Sequence, residues 1–296
     1  MNDYLPQSCI HGAGHTLDLS TPHVMGILNV TPDSFSDGGK YSSLDNAMRQ
    51  AASMLGQGAS IIDVGGESTR PGASPVSEQQ ELDRVCPVIE RLVKEHGALV
   101  SVDTSCPAVI RESAHLGAFM VNDVRSLTRP GALEAAVESQ LSVSLMHMNG
   151  EPQVMQQAPH YDEPVEVAVY AFLQKHVDRC LAAGIPRDYL VIDPGFGFGK
   201  NLDHNLRLMN EMASLQALGL PLLVGTSRKG MIGQVLADEK GVSRSVDDSR
   251  GGRLYGGLAL STMAVERGAR IIRTHDVGAT VDALALTWAV MSTDKS

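Results

Sequence analysis

Carboxylate and amide side chains stand where several apolar segments of this chain end. Asp103, Asn122 and Asp193 each close an apolar, β-branched run. Their oxygens and the single amide donor suit a flat heterocycle that offers N–H donors and a carbonyl, such as an aminopyrimidinone. Because an unpaired buried carboxylate is costly, we expect a ligand or a cation to satisfy these groups. For any one aspartate, a helix N-cap is the alternative.

A cluster of cations follows the last two apolar runs. Ser227-Arg228-Lys229 is predicted to open a helix, where free backbone N–H groups and the positive helix end favour an anion. Arg273 and His275 end the neighbouring run. Since barrel enzymes often hold phosphate between the loops of their last two strands, the cluster predicts a phosphorylated or carboxylated ligand. A salt-bridged surface turn is the alternative.

Two further strand ends carry groups of possible use. Asn29 ends the first run, and its amide oxygen suits a hydrated Mg²⁺ held against a phosphate, although an Asn that only ends a strand fits equally well. Gly195-Phe-Gly-Phe-Gly-Lys200 lacks the spacing of the nucleotide-binding glycine loops. We interpret it as a tight turn in which Phe198 packs against a flat ligand. The sequence has no zinc-ligand spacing and no nucleophile elbow.

Loops rich in glycine, proline and serine follow the first two runs. Between them they contain Asp33, Phe35, Arg70 and Pro71. This composition suits mobile lids that order over bound substrate and exclude water. Surface disorder is the alternative, but Phe35 and Arg70 would be poorly placed in loops without a function.

The elements that position these residues are eight apolar runs alternating with helical patterns. The runs are continuous, which is typical of strands buried on both faces of a parallel sheet: 24–30, 60–64, 99–103, 119–123, 142–148, 189–193, 221–226 and 269–275. This repeat favours a single (β/α)8 TIM barrel domain over residues 1–296 rather than a doubly wound sheet. We expect a short N-terminal β-hairpin, within residues 8–23, to cap the barrel floor.

Bulk properties narrow the possible partners and compartment. The net charge is −10 and there is no run of Lys or Arg, so we expect neither nucleic acid nor a membrane surface as a partner. No apolar run approaches the roughly 20 residues that span a bilayer, and the first residues do not form a signal peptide. The four cysteines form no C-x-x-C pair, which predicts free thiols and a cytoplasmic location.

The chain resembles the dihydropteroate synthases over nearly its whole length. Residues 26–39 (GILNVTPDSFSDGG) and 63–72 (DVGGESTRPG) are similar to the two signature segments of that family. Further matching motifs follow in family order: 101–104, Asn122-Asp123, 145–148, 193–200, Ser227-Arg228-Lys229 and 273–277. The resemblance implies the same barrel, usually as a homodimer. It also implies condensation of 6-hydroxymethyl-7,8-dihydropterin diphosphate with 4-aminobenzoate, which gives dihydropteroate and diphosphate for folate biosynthesis.

The matching positions imply a role for each site residue. Four would hold the pterin ring, namely Asp103, Asn122, Asp193 and Lys229. Three would hold the diphosphate, Asn29 through Mg²⁺ together with Arg273 and His275. Two would close over the substrates, Thr69 and Arg70, and four would shape the aminobenzoate site, Phe35, Pro71, Phe198 and Ser227. The residues expected to act in the reaction itself are Lys229, Arg273, His275, Asp33 and Arg70.

The expected mechanism is dissociative. Diphosphate leaves first, stabilised by Mg²⁺, Arg273 and His275, and the neutral aniline nitrogen then attacks the cationic methylene group without an enzyme nucleophile. Because this chain has both Phe35 and Pro71, we expect sulfonamides to compete with aminobenzoate. Three alternatives remain open: a pterin-binding methyltransferase domain, a Schiff-base aldolase with Lys229 as its nucleophile, and a non-catalytic protein that binds pterin or phosphate.

Overall fold

The apolar runs of the sequence form the strands of a closed parallel barrel. The computed structural model describes residues 7–31, 40–67, 76–150, 155 and 159–293. Within these residues the barrel contains eight strands, β3 to β10, each joined to the next in chain order and β10 to β3. Their bounds are β3 His23–Asn29, β4 Ile61–Gly65, β5 Leu99–Asp103, β6 Met120–Asp123, β7 Ser142–Met146, β8 Leu190–Asp193, β9 Leu222–Val224 and β10 Ala269–Thr274. The predicted (β/α)8 barrel is therefore confirmed.

Helices connect the strands and pack against the outside of the barrel. Their bounds are α1 Lys40–Gly56, α2 Glu78–His96, α3 Pro107–His115, α4 Ala132–Ser139, α5 Val165–Ala182, α6 Leu202–Glu211, α7 Gly230–Val235, α8 Leu254–Glu266 and α9 Val277–Ser292. Short 3₁₀ turns lie at Arg187–Tyr189 and Met212–Leu218. None of the helices in the described residues is long and apolar enough to cross a membrane.

Alternation along each strand divides its side chains between the barrel interior and the surrounding helices. Near the amino ends of the strands, the interior is apolar and forms one cluster with Met25, Ile61, Met120, Val191, Leu223 and Ile271. Nearer the carboxyl ends, the inward positions become polar: Asp63, Asp103, Asn122, Asp193 and Arg273. The fold thus gathers the polar side chains at one end of a barrel whose other end is apolar.

The N-terminal hairpin closes the apolar end. It consists of antiparallel strands β1 (Cys9–Gly12) and β2 (His15–Asp18), and Ile10 and Leu17 belong to the interior cluster. At Gly12 the hairpin contacts the barrel so closely that a Cβ atom would lie 2.2 Å from the carbonyl oxygen of Phe119 and 2.6 Å from the amide nitrogen of Ser142. The predicted cap on the barrel floor is confirmed.

Substitution of Gly12 tests how strongly this contact matters. Gly12→Ala places a methyl group against backbone atoms that cannot rotate away, so we expect a loss of about 1–3 kcal/mol in the free energy of unfolding. Gly56→Ala is the matched control, because nothing lies within 4 Å of its Cβ and it belongs to α1. The control should gain about 0.4–1 kcal/mol. Urea unfolding curves that rank Gly12→Ala equal to Gly56→Ala would show that the hairpin docks loosely.

Candidate active site

A pocket at the carboxyl end of the barrel brings together residues from six of its eight strand ends. Asp103 and Asn122 come from β5 and β6, Asp193 from β8 and Arg273 from β10. The rest of the lining consists of Val124, Met146, Gly195, Phe196, Phe198, Gly225 and Lys229. All four residues predicted to hold a flat ring, together with Phe198 and Arg273, therefore lie around one cavity.

The guanidinium of Arg273 joins two carboxylates inside the barrel. Its Nε donates to Oδ2 of Asp63 at 2.6 Å, and its Nη2 donates to Oδ2 of Asp103 at 2.8 Å. The amide of Asn122 donates to the same oxygen of Asp63 at 3.3 Å. Charge-assisted bonds of this kind are short and directional, so they fix where Arg273, Asp103 and Asn122 face the pocket.

Burial changes the proton affinity of these groups. It raises the pKa of Asp103 to about 7, and the negative charge of Asp63 acts in the same direction while Arg273 opposes it. Burial also disfavours the charge on Arg273, but Asp63 and Asp103 outweigh that effect and raise the pKa of Arg273. At neutral pH the guanidinium is charged, and Asp103 gives up its proton less readily than an exposed aspartate does. A ligand that donates N–H groups to Asp103 would favour the ionised state.

Asp193 and Lys229 bring opposite charges to the other side of the pocket. Asp193 accepts the N–H of Gly195 on Oδ1 at 2.7 Å, and burial raises the pKa of Asp193 to about 6 against the opposing effect of that bond and of Lys229. Burial, followed by repulsion from Arg273, lowers the pKa of Lys229 to about 8. The Lys229 ammonium lies 4.1 Å from the centre of the Phe198 ring. This side of the pocket thus offers an acceptor, a donor and an aromatic face.

The predicted anion cluster is divided in the structure. The hydroxyl of Ser227 lies 3.1 Å from Nδ1 of His275 and accepts the backbone N–H of His275 at 3.2 Å. The guanidinium of Arg228 instead pairs with Asp276 at 2.6 Å on the exposed side of the segment. Arg228 has a backbone φ of 60° and is exposed, whereas Lys229 lines the pocket. The expectation that both cations face one ligand was wrong for Arg228.

Asn29 is placed where a hydrated cation could meet the pocket. In the strand register Asn29 pairs with Gly65, which pairs with Asp103. Around the point where a Cβ of Gly65 would stand, Oδ1 of Asn29 lies at 3.7 Å and Oδ2 of Asp103 at 3.8 Å. The described residues contain no cluster of three or more His, Cys, Asp or Glu side chains that could hold a metal. This donor set fits Mg²⁺ that keeps water and substrate oxygens as its other ligands, not a protein cage.

Comparison with known proteins agrees with this geometry. Residues 25–275 match the family described as pterin binding enzyme. The dihydropteroate synthase of Escherichia coli K12 is 54% identical over 279 residues, which cover 94% of this chain and 95% of that protein. The chain belongs to the dihydropteroate synthase family.

Solved structures of the family superimpose closely on this chain. The Yersinia pestis synthase in a sulfonamide drug complex has a TM-score of 0.87 and 52% identity, over 96% of this chain and all of that one. The Xanthomonas albilineans synthase with 4-aminobenzoic acid also has a TM-score of 0.87, with 44% identity over 97% and 99% of the two chains. The same enzyme with 7,8-dihydropteroate has a TM-score of 0.83, with 41% identity over 96% and 99%.

The two predicted lids lie outside the described residues. These segments carry five of the predicted site residues: Asp33, Phe35, Thr69, Arg70 and Pro71. Their closure over substrate stays a prediction. The described flanks show how the second segment begins: Arg84 donates to the carbonyl oxygen of Gly66 at 2.7 Å, and Arg125 lies 3.8 Å from the carboxylate of Glu67.

No role follows from the sequence for two important side chains, Asp63 and Lys200. Asp63 lies near the end of the apolar run 60–64, and the sequence does not predict its pairing with Arg273. The signal was available, because a lone carboxylate within an apolar strand requires a buried cationic partner. In the sequence Lys200 is only the last residue of a glycine-rich turn, whereas in the structure it is buried to 2% exposure. A lysine that directly follows a glycine-rich turn at a strand end is a comparable signal of a side chain with a role at the site.

The buried negative charge of Asp193 should reduce the stability of the ligand-free chain. Replacement of Asp193 by the neutral asparagine tests this prediction. Its pKa of about 6 in the folded chain exceeds the value of about 3.9 for an unfolded chain. The charge therefore costs stability as pH rises above about 4, and the full cost, about 3 kcal/mol, is reached above pH 6. Asp193→Asn keeps an acceptor for Gly195 and should be more stable than the wild type at pH 8, with about half the gain at pH 5.

The measurement is urea unfolding of both proteins at the two pH values. Equal destabilisation of Asp193→Asn at pH 5 and pH 8 would mean that the carboxylate is not strained by burial.

Proposed function

We propose that this chain condenses 6-hydroxymethyl-7,8-dihydropterin diphosphate with 4-aminobenzoate, and that it releases 7,8-dihydropteroate and diphosphate for folate biosynthesis. Its relatives carry the name of this activity, and the Xanthomonas albilineans structures contain 4-aminobenzoic acid and 7,8-dihydropteroate. The observation that carries the proposal is the convergence on one pocket of Asp103, Asn122, Asp193, Lys229 and Arg273.

The pocket chemistry matches the pyrimidinone side of a pterin. Asp193 uses one oxygen for Gly195, which leaves the other to accept ring N–H groups. The Lys229 ammonium can donate to the ring carbonyl, and Asn122 offers both a donor and an acceptor. These bonds to charged groups would replace the water that Asp193 and Lys229 lose on burial.

The reaction then needs separation of charge rather than a nucleophile from the protein. The bond between the pterin methylene carbon and the diphosphate oxygen breaks, and its electron pair leaves with diphosphate. The aniline nitrogen of 4-aminobenzoate donates its lone pair to the same carbon and then loses a proton. The guanidinium of Arg273, held by Asp63 and Asp103, supplies a fixed positive charge close to the departing group.

The remaining predicted residues complete this account. Asn29 would hold Mg²⁺, which supplies charge neutralisation to the diphosphate when it is bound. His275 would contact the diphosphate, and Ser227, to which it is hydrogen-bonded, would meet the aminobenzoate carboxylate. Phe198 would form one wall of the aminobenzoate site. The predicted roles of the lid residues are unchanged by the structure.

We also infer that the chain forms a homodimer in the cytoplasm. Helices α8 and α9 expose apolar side chains, with Tyr255 at 65%, Leu286 at 70% and Val290 at 69%. Surface apolar groups of this size often mark a protein interface. The four cysteines are free thiols, as a reducing compartment requires. Light scattering that gives the mass of one chain, 31.5 kDa, would contradict the dimer.

The direct test supplies the purified chain with both substrates and Mg²⁺. Chromatography with mass detection should show dihydropteroate and diphosphate in equal amounts, and neither product when one substrate is omitted. A sulfonamide added to the same assay should raise the apparent KM for 4-aminobenzoate and leave kcat unchanged. Binding of both substrates without product would reject the proposed reaction and favour a binding protein.

Asp193→Asn should also separate stability from ligand binding. Loss of the charged acceptor should weaken binding of the dihydropterin diphosphate by about 1.5–3 kcal/mol, or about 10- to 150-fold in Kd. Asp178→Asn is the control, because Asp178 lies on the exposed face of α5 and contacts only Gln174 among the described hydrogen-bond partners. Titration calorimetry that gives both variants the wild-type Kd would remove Asp193 from the ring site.

A further inference from the structure

The turn after β8 fits against the end of β7 with almost no clearance. Gly195, Gly197 and Gly199 all have positive φ, at 67°, 79° and 63°. A Cβ at Gly195 would lie 1.9 Å from the carbonyl oxygen of His147, and one at Gly199 would lie 2.2 Å from that of Asn149. The glycines therefore permit the close contact, but they provide no side chain that would hold it together.

Lys200 supplies the missing interaction from behind the turn. Its ammonium donates to the carbonyl oxygens of Gly195 at 2.9 Å and Phe198 at 3.2 Å, and it lies 2.8 Å from Nδ1 of His147. An ammonium has three N–H donors, so each has one acceptor here. Because Nδ1 of His147 accepts, that ring is neutral and carries its proton on Nε2. Burial, with added repulsion from Lys200, lowers the pKa of His147 to about 2, which agrees with this assignment.

The peptide groups that Lys200 holds lead directly into the pocket. The N–H of Gly195 binds the carboxylate of Asp193, while its carbonyl binds Lys200. The carbonyl of Phe198 also binds Lys200, and the Phe198 ring lies against the ammonium of Lys229. Lys200 itself is outside the pocket lining, and it is buried to 2% exposure. It is thus placed to act on the site only through the turn.

A purely structural role accounts poorly for a charge at this position. Burying an ammonium costs several kcal/mol, and its three acceptors are neutral, so no ion pair offsets that cost directly. Burial lowers the pKa of Lys200 to about 7, with Asp193 opposing and Lys229 adding to the effect. An ammonium does suit a positioning role here, because its three N–H donors diverge from one atom and can bind three acceptors that lie at fixed positions.

We propose that Lys200 is a positioning residue whose buried ammonium locks the 195–199 turn, so that Phe198 stays against Lys229 and forms the wall of the aminobenzoate site. The proposal rests on the proposed function for the identity of that ligand. It predicts that Lys200 governs the affinity for 4-aminobenzoate more than the rate of the chemical step.

A double-mutant cycle tests this assignment. Lys200→Met should raise KM for 4-aminobenzoate at least fivefold and change kcat less than twofold. Phe198→Ala should raise the same KM, and the double variant should match Phe198→Ala within twofold, because the lysine acts through that ring. Multiplicative effects of the two substitutions, or a lower kcat with an unchanged KM, would overturn the proposal. Lys94→Met, on the exposed face of α2, is the control and should match the wild type.

A spectroscopic measurement separates failure of this proposal from failure of the proposed function. In ¹⁵N-histidine spectra of the wild type recorded at about pH 6, below the pKa of Lys200, His147 should hold its proton on Nε2 alone, and Lys200→Met should release it to a mixture of tautomers. Wild-type protein that makes no dihydropteroate would reject the function, whereas a mixed tautomer in the wild type would reject the role of Lys200. If Lys200→Met does not fold, Lys200→Gln, which retains two donors, should give a smaller rise in KM; no rise would overturn the proposal.

Discussion

The bridge from Asp63 through Arg273 to Asp103 is the interaction on which the rest of the site depends. Inside a barrel, unpaired charges are too costly to keep, and one guanidinium here pairs with one oxygen of each of two carboxylates from different strands. Burial, with the negative charge of Asp63 adding to it, outweighs the effect of Arg273, so the pKa of Asp103 is above that of an exposed aspartate. The site is thereby left with unmet hydrogen-bonding capacity that a ligand with N–H donors can use.

The fold makes this arrangement possible because the polar side chains of the barrel interior lie near the carboxyl ends of the strands. Inward positions alternate along each strand, and the same strands that carry Met25, Ile61 and Ile271 at the floor carry polar groups two residues or more further on. The hairpin seals the apolar end, while Gly195 and Gly199 have no side chain where the turn after β8 contacts the backbone beyond β7. Apolar side chains buried at the floor and under the outer helices stabilise the fold, so the rim can hold buried charges that reduce stability.

The sequence predicted the barrel and most of the pocket because both depend on local patterns. Continuous apolar runs identified the strands, and polar residues at their ends identified Asp103, Asn122, Asp193 and Lys229. What it missed depends on side-chain direction. Arg228 pairs with Asp276, which lies 48 positions away, and Arg273 and Asp63 lie 210 positions apart in sequence, so no local pattern shows these contacts. Lys200 was missed for the same reason, since its acceptors come from two different strand ends.

Replacement of Arg273 by lysine measures the central interaction most directly. Lysine keeps one positive charge but cannot span two carboxylates, so Asp63 and Asp103 would lose their common partner. With both substrates and Mg²⁺, we expect kcat/KM of Arg273→Lys to fall about 100-fold or more, as small displacements of a charge-stabilising group do in enzymes. Arg207→Lys, at an exposed pair with Glu166, should match the wild type. A value of kcat/KM for Arg273→Lys within twofold of the wild type would contradict the account.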